Sequence, residues 1–338
     1  MSDNTAAVAT SLAADRPFSW KGFFLQWEWL LFVVFLLIHV VNANLSPYYM
    51  HDLLGTTTTF LDKAFIVLPM AFIIIMGEID ISVGSTVALS AVLMGMAHQA
   101  GLPMPIAMVL CLIVAAACGF INGLILTRFQ ELAPMIVTLS TMIIFRGIAL
   151  ILLEDKSVSG FPEWFEYLGY ENLGPIPFIL LAFAVFAVIF GLILHKTTFG
   201  RHVFAIGSNR TACLFSGVPV DRVRLVVYTM TGLMAGVTAL FLTSRMGSTR
   251  PNVAQGYELD VIAMVVLGGI STAGGKGRMI GAVLAVFVIG YLRYGLGLRN
   301  VSAQVLMIII GLLLIFAVML PNLKTMIANH MSKKNSSI

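Results

Sequence analysis

Ten continuous apolar stretches dominate the chain, and they limit its fold more than any other feature of the sequence. The stretches lie at about residues 27–43, 61–79, 82–98, 104–127, 133–153, 176–195, 223–244, 258–272, 279–295 and 301–320. Most of them approach the ~20 residues that an α-helix needs to cross a ~30 Å hydrocarbon core. Their apolar residues are continuous rather than alternating, which argues against a membrane β-barrel. The sequence therefore predicts an all-α polytopic membrane protein with about ten transmembrane helices.

Composition excludes two other classes of protein. Only 11% of the 338 residues are charged, whereas 59% are hydrophobic. A soluble domain carries about 25% charged residues, so this chain could not cover a water-exposed surface. Disordered chains are poorer in apolar residues. The net charge of +4 comes from Lys and Arg residues placed mostly between the apolar stretches, which indicates topology signals rather than nucleic-acid binding.

The distribution of Lys and Arg predicts the orientation in the membrane. With the N-terminus placed in the cytosol, thirteen of the 20 Lys and Arg residues fall in cytosolic segments and six fall outside. The remaining one, Arg146, lies within a span. Positive residues are enriched on the cytosolic side, so both termini are expected to be cytosolic. The expected organisation is a cytosolic tail at 1–26, a transmembrane domain at 27–320 with a cytosolic loop at 196–224, and a cytosolic tail at 321–338.

The segment at 77–85 interrupts the apolar pattern with two carboxylates, those of Glu78 and Asp80. Carboxylates at membrane depth are costly and normally face a cavity or a partner. Small residues that permit backbone bends or cap a restarting helix surround them, namely Gly77, Ser82, Gly84 and Ser85. The segment is therefore interpreted as a hinge or a pathway element. A short cytosolic turn with solvated acids is the alternative.

Arg146 lies about two-thirds of the way through the fifth apolar stretch. It follows three small hydroxyl residues, Thr138, Ser140 and Thr141. A guanidinium at this depth requires a carboxylate, backbone carbonyls or water as a partner. Snorkelling of the side chain to the outer interface is the alternative. Neither interpretation makes Arg146 catalytic.

Two short acidic strings form a faint internal repeat. Gly77–Asp80 closes the second apolar stretch, and Tyr257–Asp260 closes the seventh. Two four-helix units of opposite orientation, stretches 2–5 and 7–10, would place the strings at opposite ends; chance similarity is the alternative. Inverted repeats are common among membrane transporters. The candidate pathway or hinge residues are Glu78, Asp80, Ser82, Gly84, Thr138, Ser140, Thr141, Arg146, Glu258 and Asp260.

The cytosolic loop at 196–224 has the pattern of a short projecting helix. Small and polar residues at 207–209 are typical of a helix start, residues 212–215 form an apolar face, and Gly217 and Pro219 favour a stop. Such a helix could place its apolar face in a groove of a partner. A position flat on the lipid surface is the alternative. The candidate contact residues are Gly207, Ser208, Asn209, Ala212, Leu214, Phe215, Ser216 and Gly217.

The glycine-rich string at 267–278 departs from the pattern of a phosphate-binding loop. Ile270 stands where the pattern requires its first glycine, and Gly277 replaces the Ser or Thr that should follow Lys276. The string is instead expected to allow close helix contact and a flexible turn. Pairs of small residues four apart, which are typical of membrane helix packing, are Gly119/Gly123, Gly232/Gly236 and Gly277/Gly281.

No catalytic residue, metal or cofactor is expected. Cys111, Cys118 and Cys213 have no further ligands near them in sequence, so buried small residues are the expected role. The sequence contains no Walker A motif, no zinc-protease motif and no nucleophile elbow. Nothing in the chain predicts ATP hydrolysis.

Three motifs give the chain a resemblance to one known family. They are Gly77–Ser85, Ala205–Val220 and Gly256–Arg278, and the resemblance extends over about residues 60 to 295. In their order and spacing the chain resembles the permease subunits of ribose-type ABC sugar importers. The family more often has Gly-Ile-Asp where this chain has Glu78-Ile79-Asp80.

The resemblance implies a fold, partners and a substrate class. The fold would be similar to that of ten-helix type II ABC importers in the bacterial inner membrane. The implied partners are a second permease chain, identical or related, ATP-binding-cassette ATPase subunits on the cytosolic face, a periplasmic sugar-binding protein, and membrane lipid, but no nucleic acid. The family's coupling helix, which contacts the ATPase, would fall on roughly Ser208–Gly217. Family substrates include ribose, xylose, rhamnose, polyols and furanosyl signalling sugars such as autoinducer-2.

Two other functions compete with this interpretation. An ion-coupled secondary transporter would place ionisable residues deep in its spans, where only Arg146 clearly lies. A membrane-embedded enzyme would require a nucleophile with its base, or a metal site.

Overall fold

The computed structural model describes residues 27–154, 156–302, 304–309, 311–313, 315 and 319. Within these residues the chain is helical apart from short strand pairs and loops. The tails predicted at 1–26 and 321–338 lie outside the described residues.

Twelve helices make up most of the described chain between residues 27 and 302. They are α1 (Trp27–Leu45), α2 (Ala64–Ile75), α3 (Val83–Gln99), α4 (Met104–Arg128), α5 (Pro134–Leu153), α6 (Glu163–Tyr167), α7 (Phe178–Lys196), α8 (Thr198–Ser208), α9 (Arg210–Phe215), α10 (Val220–Met246), α11 (Tyr257–Leu267) and α12 (Met279–Leu298). A 3₁₀ turn at Gly55–Thr59 and a further apolar helix at Gln304–Leu313 complete the helical elements described.

Two short antiparallel strand pairs lie in the connecting loops. Strand β1 (Val158–Ser159) pairs with β4 (Ser248–Thr249), and β2 (Asn172–Leu173) pairs with β3 (Ile176–Pro177). The first pair joins the loop after α5 to the loop after α10, so it ties together two segments that are distant in sequence.

Six of the described helices are long and apolar enough to cross a membrane: α1, α4, α5, α7, α10 and α12. The prediction of an all-α polytopic membrane protein is therefore confirmed. Two of the ten predicted stretches form much shorter helices than expected. The stretch at 61–79 yields only the 12 residues of α2, and that at 258–272 yields only the 11 residues of α11.

Both short helices end because a glycine takes up a left-handed conformation. After α2, Gly77 has φ +79°, and the amides of Gly77 and Glu78 donate back to carbonyls of the last turn. After α11, Gly269 has φ +84°, and the amides of Gly269 and Ile270 do the same. This is the Schellman arrangement, which glycine favours because it has no Cβ. The predicted backbone bend at Gly77 is confirmed.

The two ends of the helix bundle have different contacts. At one end, called here the glycine end, the Gly275 amide donates to the Ile75 carbonyl at 2.8 Å and the Trp27 indole donates to the Leu267 carbonyl at 2.7 Å. The opposite end, called the strand end, carries the β1–β4 pair. Both α2 and α11 finish at the glycine end, so these two short helices run in the same direction.

The acidic strings do not mark equivalent positions. Gly77–Asp80 follows α2, as expected, but Tyr257–Asp260 does not close the seventh stretch. It forms the first turn of α11, because α10 has already ended at Met246 and a non-helical segment intervenes. The prediction that the second string closes the seventh stretch is therefore wrong, whereas the two strings do lie at opposite ends of α2, as predicted.

Helices α4 and α10 pack closely because glycines face each other across the contact. A methyl group on Gly119 would overlap the carbonyl of Tyr228, and one on Gly232 would overlap the carbonyl of Ala115. Gly123 and Gly236 extend the same contact along both helices. The predicted helix-packing role of these small-residue pairs is confirmed.

The α4–α10 contact gives a stability prediction. Gly232→Ala should destabilise the folded chain by about 1–3 kcal/mol, because overpacking forces two backbones apart. Gly147→Ala is the matched control, since Gly147 lies within α5 and a Cβ there meets no atom within 4 Å. Thermal unfolding in detergent should show a lower midpoint for Gly232→Ala alone. Equal midpoints for the two variants would show that the close contact is not needed for stability.

Candidate functional site

Helix α2 is the only helix in the described chain of which every residue is buried, and both of its ends carry charge. Asp62 and Lys63 precede it, and Glu78 and Asp80 follow it. Burying charge in a low-dielectric interior is expensive unless each charge has a partner. The partners of these four residues therefore show which elements hold α2 in place.

The first group, called the glycine-end cluster, consists of Glu78, Asp80, Ser82, Asn122, Arg224 and Tyr228. Arg224 Nε lies 2.8 Å from Glu78 Oε1, and the Tyr228 hydroxyl donates to Glu78 Oε2 at 3.0 Å. The Arg224 side chain is only 2% exposed and also donates to the Leu126 carbonyl. One carboxylate after α2 thus fixes α2 to α10, while the same arginine binds the end of α4.

Asp80 is held within its own loop. Its Oδ1 accepts from the amide of Ser82 at 2.8 Å and from the hydroxyl of Ser82 at 2.7 Å. Asn122 Nδ2 in turn donates to Ser82 Oγ at 2.8 Å. The alternative of solvated acids is wrong, because Glu78 and Asp80 are both buried. Ser82 occupies the N-cap position of α3, as predicted, but its hydroxyl donates to Asp80 and makes no capping hydrogen bond to the helix.

The hydroxyl residues of α5 separate into two groups. Thr138 and Thr141 are buried, and Thr138 Oγ1 donates to the Ile79 carbonyl at 3.3 Å. Ser140 lies on the exposed face of α5, where its hydroxyl donates to the Ile136 carbonyl within the helix. The structure therefore brings Thr138 and Thr141 towards the α2–α3 break but not Ser140.

Gly84 does not produce a bend. It lies inside α3 and lets the carbonyl of Ala254 and the carboxylate of Glu258 approach the helix. The expected role of a backbone bend is therefore wrong, because this glycine provides space rather than unusual backbone angles. Its position brings Glu258 against the first turn of α3.

Arg146 finds backbone carbonyls, one of the three kinds of partner expected for it. Its Nη1 donates to the carbonyl of Pro251 at 2.5 Å and to that of Val253 at 2.8 Å. Both carbonyls belong to the segment at 247–256, which connects α10 to α11 without forming a helix. Arg146 therefore gives this irregular backbone the hydrogen bonds that a hydrocarbon environment cannot supply.

The second group, called the strand-end cluster, consists of Asp62, Lys63, Arg245, Tyr257, Asp260 and Arg293. Asp260 contacts both Lys63, at 2.7 Å, and Arg293, at 2.5 Å. Asp62 contacts Arg245 at 2.7 Å and accepts from the Tyr257 hydroxyl at 3.0 Å. These pairs join α2 to α10, α11 and α12.

Sequence reasoning found only Asp260 of this second cluster as a candidate site residue. Lys63, Arg245 and Arg293 stood close to predicted span ends, so they were counted with the outer positive residues as topology signals. Arg224 of the first cluster was missed for the same reason, and Tyr228 was missed because nothing in the local sequence marks it. Their partners are distant in sequence: Arg224 and Glu78 are 146 residues apart.

The projecting helix in the loop at 196–224 is shorter than expected. Helix α9 covers Arg210–Phe215, and the Asn209 side chain caps it by accepting from the Ala212 amide at 2.9 Å. Gly207 and Ser208 do not start this helix; they end α8, so that part of the predicted Ser208–Gly217 helix is wrong.

The exposed face of α9 is apolar. Phe215 is 90% exposed and Leu214 is 47% exposed, whereas Cys213 is buried against the bundle. Ala212 and Ser216 are also exposed. Gly217 follows the helix with φ +76°, as expected for a residue that ends it. Phe215 therefore projects a large apolar side chain away from the protein.

The glycine-end cluster gives a second stability prediction. Arg224→Met should destabilise the chain by about 3–5 kcal/mol, because it leaves the Glu78 carboxylate buried without its charge partner. Combining Arg224→Met with Glu78→Gln should recover much of this loss, since neither position of the pair then carries a charge. A double-mutant cycle of thermal midpoints in detergent measures the coupling. Additive effects of the two substitutions would contradict the assigned ion pair.

Comparisons with known proteins identify the family. A family model described as the permease component of a branched-chain amino acid transport system matches residues 53–318. The chain is 38% identical over 304 residues to the "Autoinducer 2 import system permease protein LsrD" of Escherichia coli O157:H7, covering 86% of this chain and 91% of that protein. The protein of the same name from Shigella flexneri is 37% identical over 303 residues, with the same coverage. No solved structure matches the chain. The chain therefore belongs to this family of transporter permeases, and the resemblance to permease subunits of ABC sugar importers is confirmed.

Proposed function

We propose that this permease carries a sugar-derived solute, with autoinducer-2 as the first substrate to test, into a bacterial cell. The relatives are named for autoinducer-2 import, and they match 86% of this chain. The wider substrate class is sugars and related polyols. ATP hydrolysis would occur on a separate ATP-binding-cassette subunit, and a periplasmic binding protein would deliver the solute.

The exposed apolar face of α9 is the structural observation that carries this proposal. A transporter driven by a separate ATPase needs a surface through which force enters, and Phe215 with Leu214 forms a compact apolar projection. Burying a Leu or Phe side chain contributes roughly 1.5–3 kcal/mol, enough to anchor a contact that still moves. The proposed coupling residues are Asn209, Ala212, Leu214, Phe215, Ser216 and Gly217, with Gly207 and Ser208 behind them.

The glycine end is proposed to face the cytosol. It carries the loop at 196–224 and the basic residues Arg128, Arg201, Lys276 and Arg278, which fits the enrichment of positive charge on that side. Helices α2, α3, α11 and Gln304–Leu313 would join the six long helices to give ten spans with both termini cytosolic. Stretches 2–5 and 7–10 would then form inverted units in a type II importer fold, paired with a second permease chain, identical or related.

The candidate pathway residues are proposed to act mainly as a hinge within this chain. Glu78, Asp80, Ser82, Thr138 and Thr141 are buried. Glu78 is bonded to Arg224 and Tyr228, and the other four are bonded to one another or to nearby backbone. Closed polar contacts of this kind fix geometry rather than line an open passage. Gly84 and Glu258 lie against each other at the first turn of α3, and Arg146 holds the segment at 247–256. Asp260 belongs to the strand-end cluster, and Ser140 faces outward on α5.

Uptake into membrane vesicles tests the function. Vesicles that contain the permease, its ATPase and the binding protein should accumulate labelled autoinducer-2 when ATP is supplied on the side of the membrane that carries the ATPase. Accumulation should persist after ion gradients are collapsed. Uptake that requires an ion gradient and ignores ATP would establish the ion-coupled secondary transporter instead.

The α9 surface gives a coupling prediction. Phe215→Asp should leave the chain folded, because this side chain makes no buried contact within it. Solute-stimulated ATP hydrolysis by the assembled complex should fall, and the ATPase should co-purify poorly, because a charge now occupies an apolar contact.

Thr211→Asp is the matched control for Phe215→Asp, since it adds the same charge to the same helix at an exposed polar position. It should assemble with the ATPase like the parent chain. If Phe215→Asp complexes also assemble fully and transport at the parental rate, α9 is not the coupling element.

The strand end gives a docking prediction. Arg250 is exposed there, whereas Arg245 is engaged with Asp62. Arg250→Glu should slow transport at low binding-protein concentration and have less effect at saturation, because surface charge affects the docking rate more than affinity. Arg128→Glu, the same charge change at the glycine end, is the control. An unchanged dependence on binding-protein concentration at every salt level would show that Arg250 does not contact the binding protein.

A further inference from the structure

Three backbone segments meet at the carbonyl of Ile75, the last residue of α2. The amide of Gly275 donates to this carbonyl at 2.8 Å. Gly207 of α8 is so close that a methyl group there would overlap the same oxygen, and a Cβ on Gly274 would lie 2.6 Å from the Gly207 carbonyl oxygen. This group of Ile75, Gly207, Gly274 and Gly275 is called the glycine junction. Its contacts are between backbones, with no side chain between them.

Backbone contact makes the glycine junction stiff. Side chains can change rotamer to absorb a displacement, but packed backbones have no such freedom and protein interiors have low compressibility. Gly274 and Gly275 also have φ +83° and +71°, which residues with a side chain rarely adopt. A movement of α8 by a fraction of an ångström must therefore move the end of α2 and the turn at 268–278 with it.

The junction adjoins the proposed ATPase contact. Gly207 is the next-to-last residue of α8, and only Asn209 separates α8 from α9. The side chain of Asn209 caps α9, so α8 and α9 form a fixed corner rather than a loose linker. A force applied to Phe215 at the end of α9 consequently reaches Gly207 within a few residues.

Two helices run from the junction to the strand-end cluster. Helix α2 spans about 18 Å at 1.5 Å per residue and begins directly after Lys63, while α11 begins with the turn that contains Asp260. Lys63 and Asp260 form the buried ion pair between these helices. Ile75 of the junction is thus connected through α2 to Lys63. The turn at 268–278 is connected through α11 to Asp260.

We propose that the glycine junction transmits movement of α9 to the Lys63–Asp260 pair at the opposite end of the bundle. Gly207, Gly274 and Gly275 are positioning residues in this role, because they touch neither solute nor ATPase. The proposal rests on the proposed coupling function of α9. It also gives a role to the glycine-rich string at 267–278, of which Gly274 and Gly275 lie against α8 and the end of α2.

The ratio of solute transported to ATP hydrolysed tests the proposal. Gly207→Ala should lower this ratio at least about fivefold in proteoliposomes that contain the complete complex, labelled autoinducer-2 and binding protein. A merely structural defect would reduce transport and hydrolysis together and leave the ratio unchanged. Gly191→Ala is the matched control, because Gly191 lies inside α7 and its Cβ would meet only Met279 Cγ, at 3.9 Å. An unchanged ratio in Gly207→Ala, with the ATPase still bound, overturns the proposal.

Two further measurements cover variants that do not assemble. Gly275→Ala alters the same contact from the other side, where its Cβ would lie 2.5 Å from Ser208 Oγ, and should lower the ratio in the same way. If neither variant assembles, hydrogen exchange of the parent complex decides. ATP binding should change exchange in the segment at 247–257 of the strand end, and unchanged exchange there overturns the proposal. A parent complex that shows no ATP-dependent uptake would instead contradict the proposed function.

Discussion

The placement of buried charge at both ends of α2 determines how the rest of the bundle is arranged. Asp62 and Lys63 at one end and Glu78 at the other are all buried. Each must have a partner, because an isolated charge in a low-dielectric interior costs several kcal/mol. The partners come from α10 and α11, so the same contacts that neutralise these charges also fix the positions of two other helices around α2. Arg293 of α12 joins this arrangement through Asp260.

The shortness of α2 and α11 explains why polar groups lie so deep in this chain. Helices of 12 and 11 residues reach about 18 and 17 Å, well short of a ~30 Å hydrocarbon core. Non-helical backbone occupies part of the remaining depth, and irregular backbone is tolerated there only where protein supplies its hydrogen bonds. Arg146 supplies them at Pro251 and Val253, and Arg245 donates to the Thr59 carbonyl at 3.2 Å.

The sequence predicted the long helices, because continuous apolar residues have one main physical solution. It predicted that Arg146 needs a polar partner, but it left carboxylate, carbonyl and water open as that partner, and snorkelling as the alternative. It did not predict the ion pairs. A carboxylate such as Glu78 shows that a partner is needed, but Arg224 lies 146 residues away and nothing local distinguishes it from a topology signal. The start of α9 was misplaced for a related reason. Gly207 is small because another backbone approaches it, and a sequence pattern cannot separate that need from a helix start.

The two charged clusters differ in how much movement they permit. Glu78 is held by Arg224 and Tyr228, which lie one turn apart on α10. Because both partners belong to one helix, a displacement of α10 away from Glu78 would break both contacts together. At the strand end, Asp260 is shared between Lys63 and Arg293, and these two cations belong to different elements. A carboxylate with two cationic partners can weaken one contact while it keeps the other, which avoids the cost of an unpaired buried charge. Relative movement of α2 and α11 is therefore accommodated more easily at the strand end, far from the backbone contacts of the glycine junction.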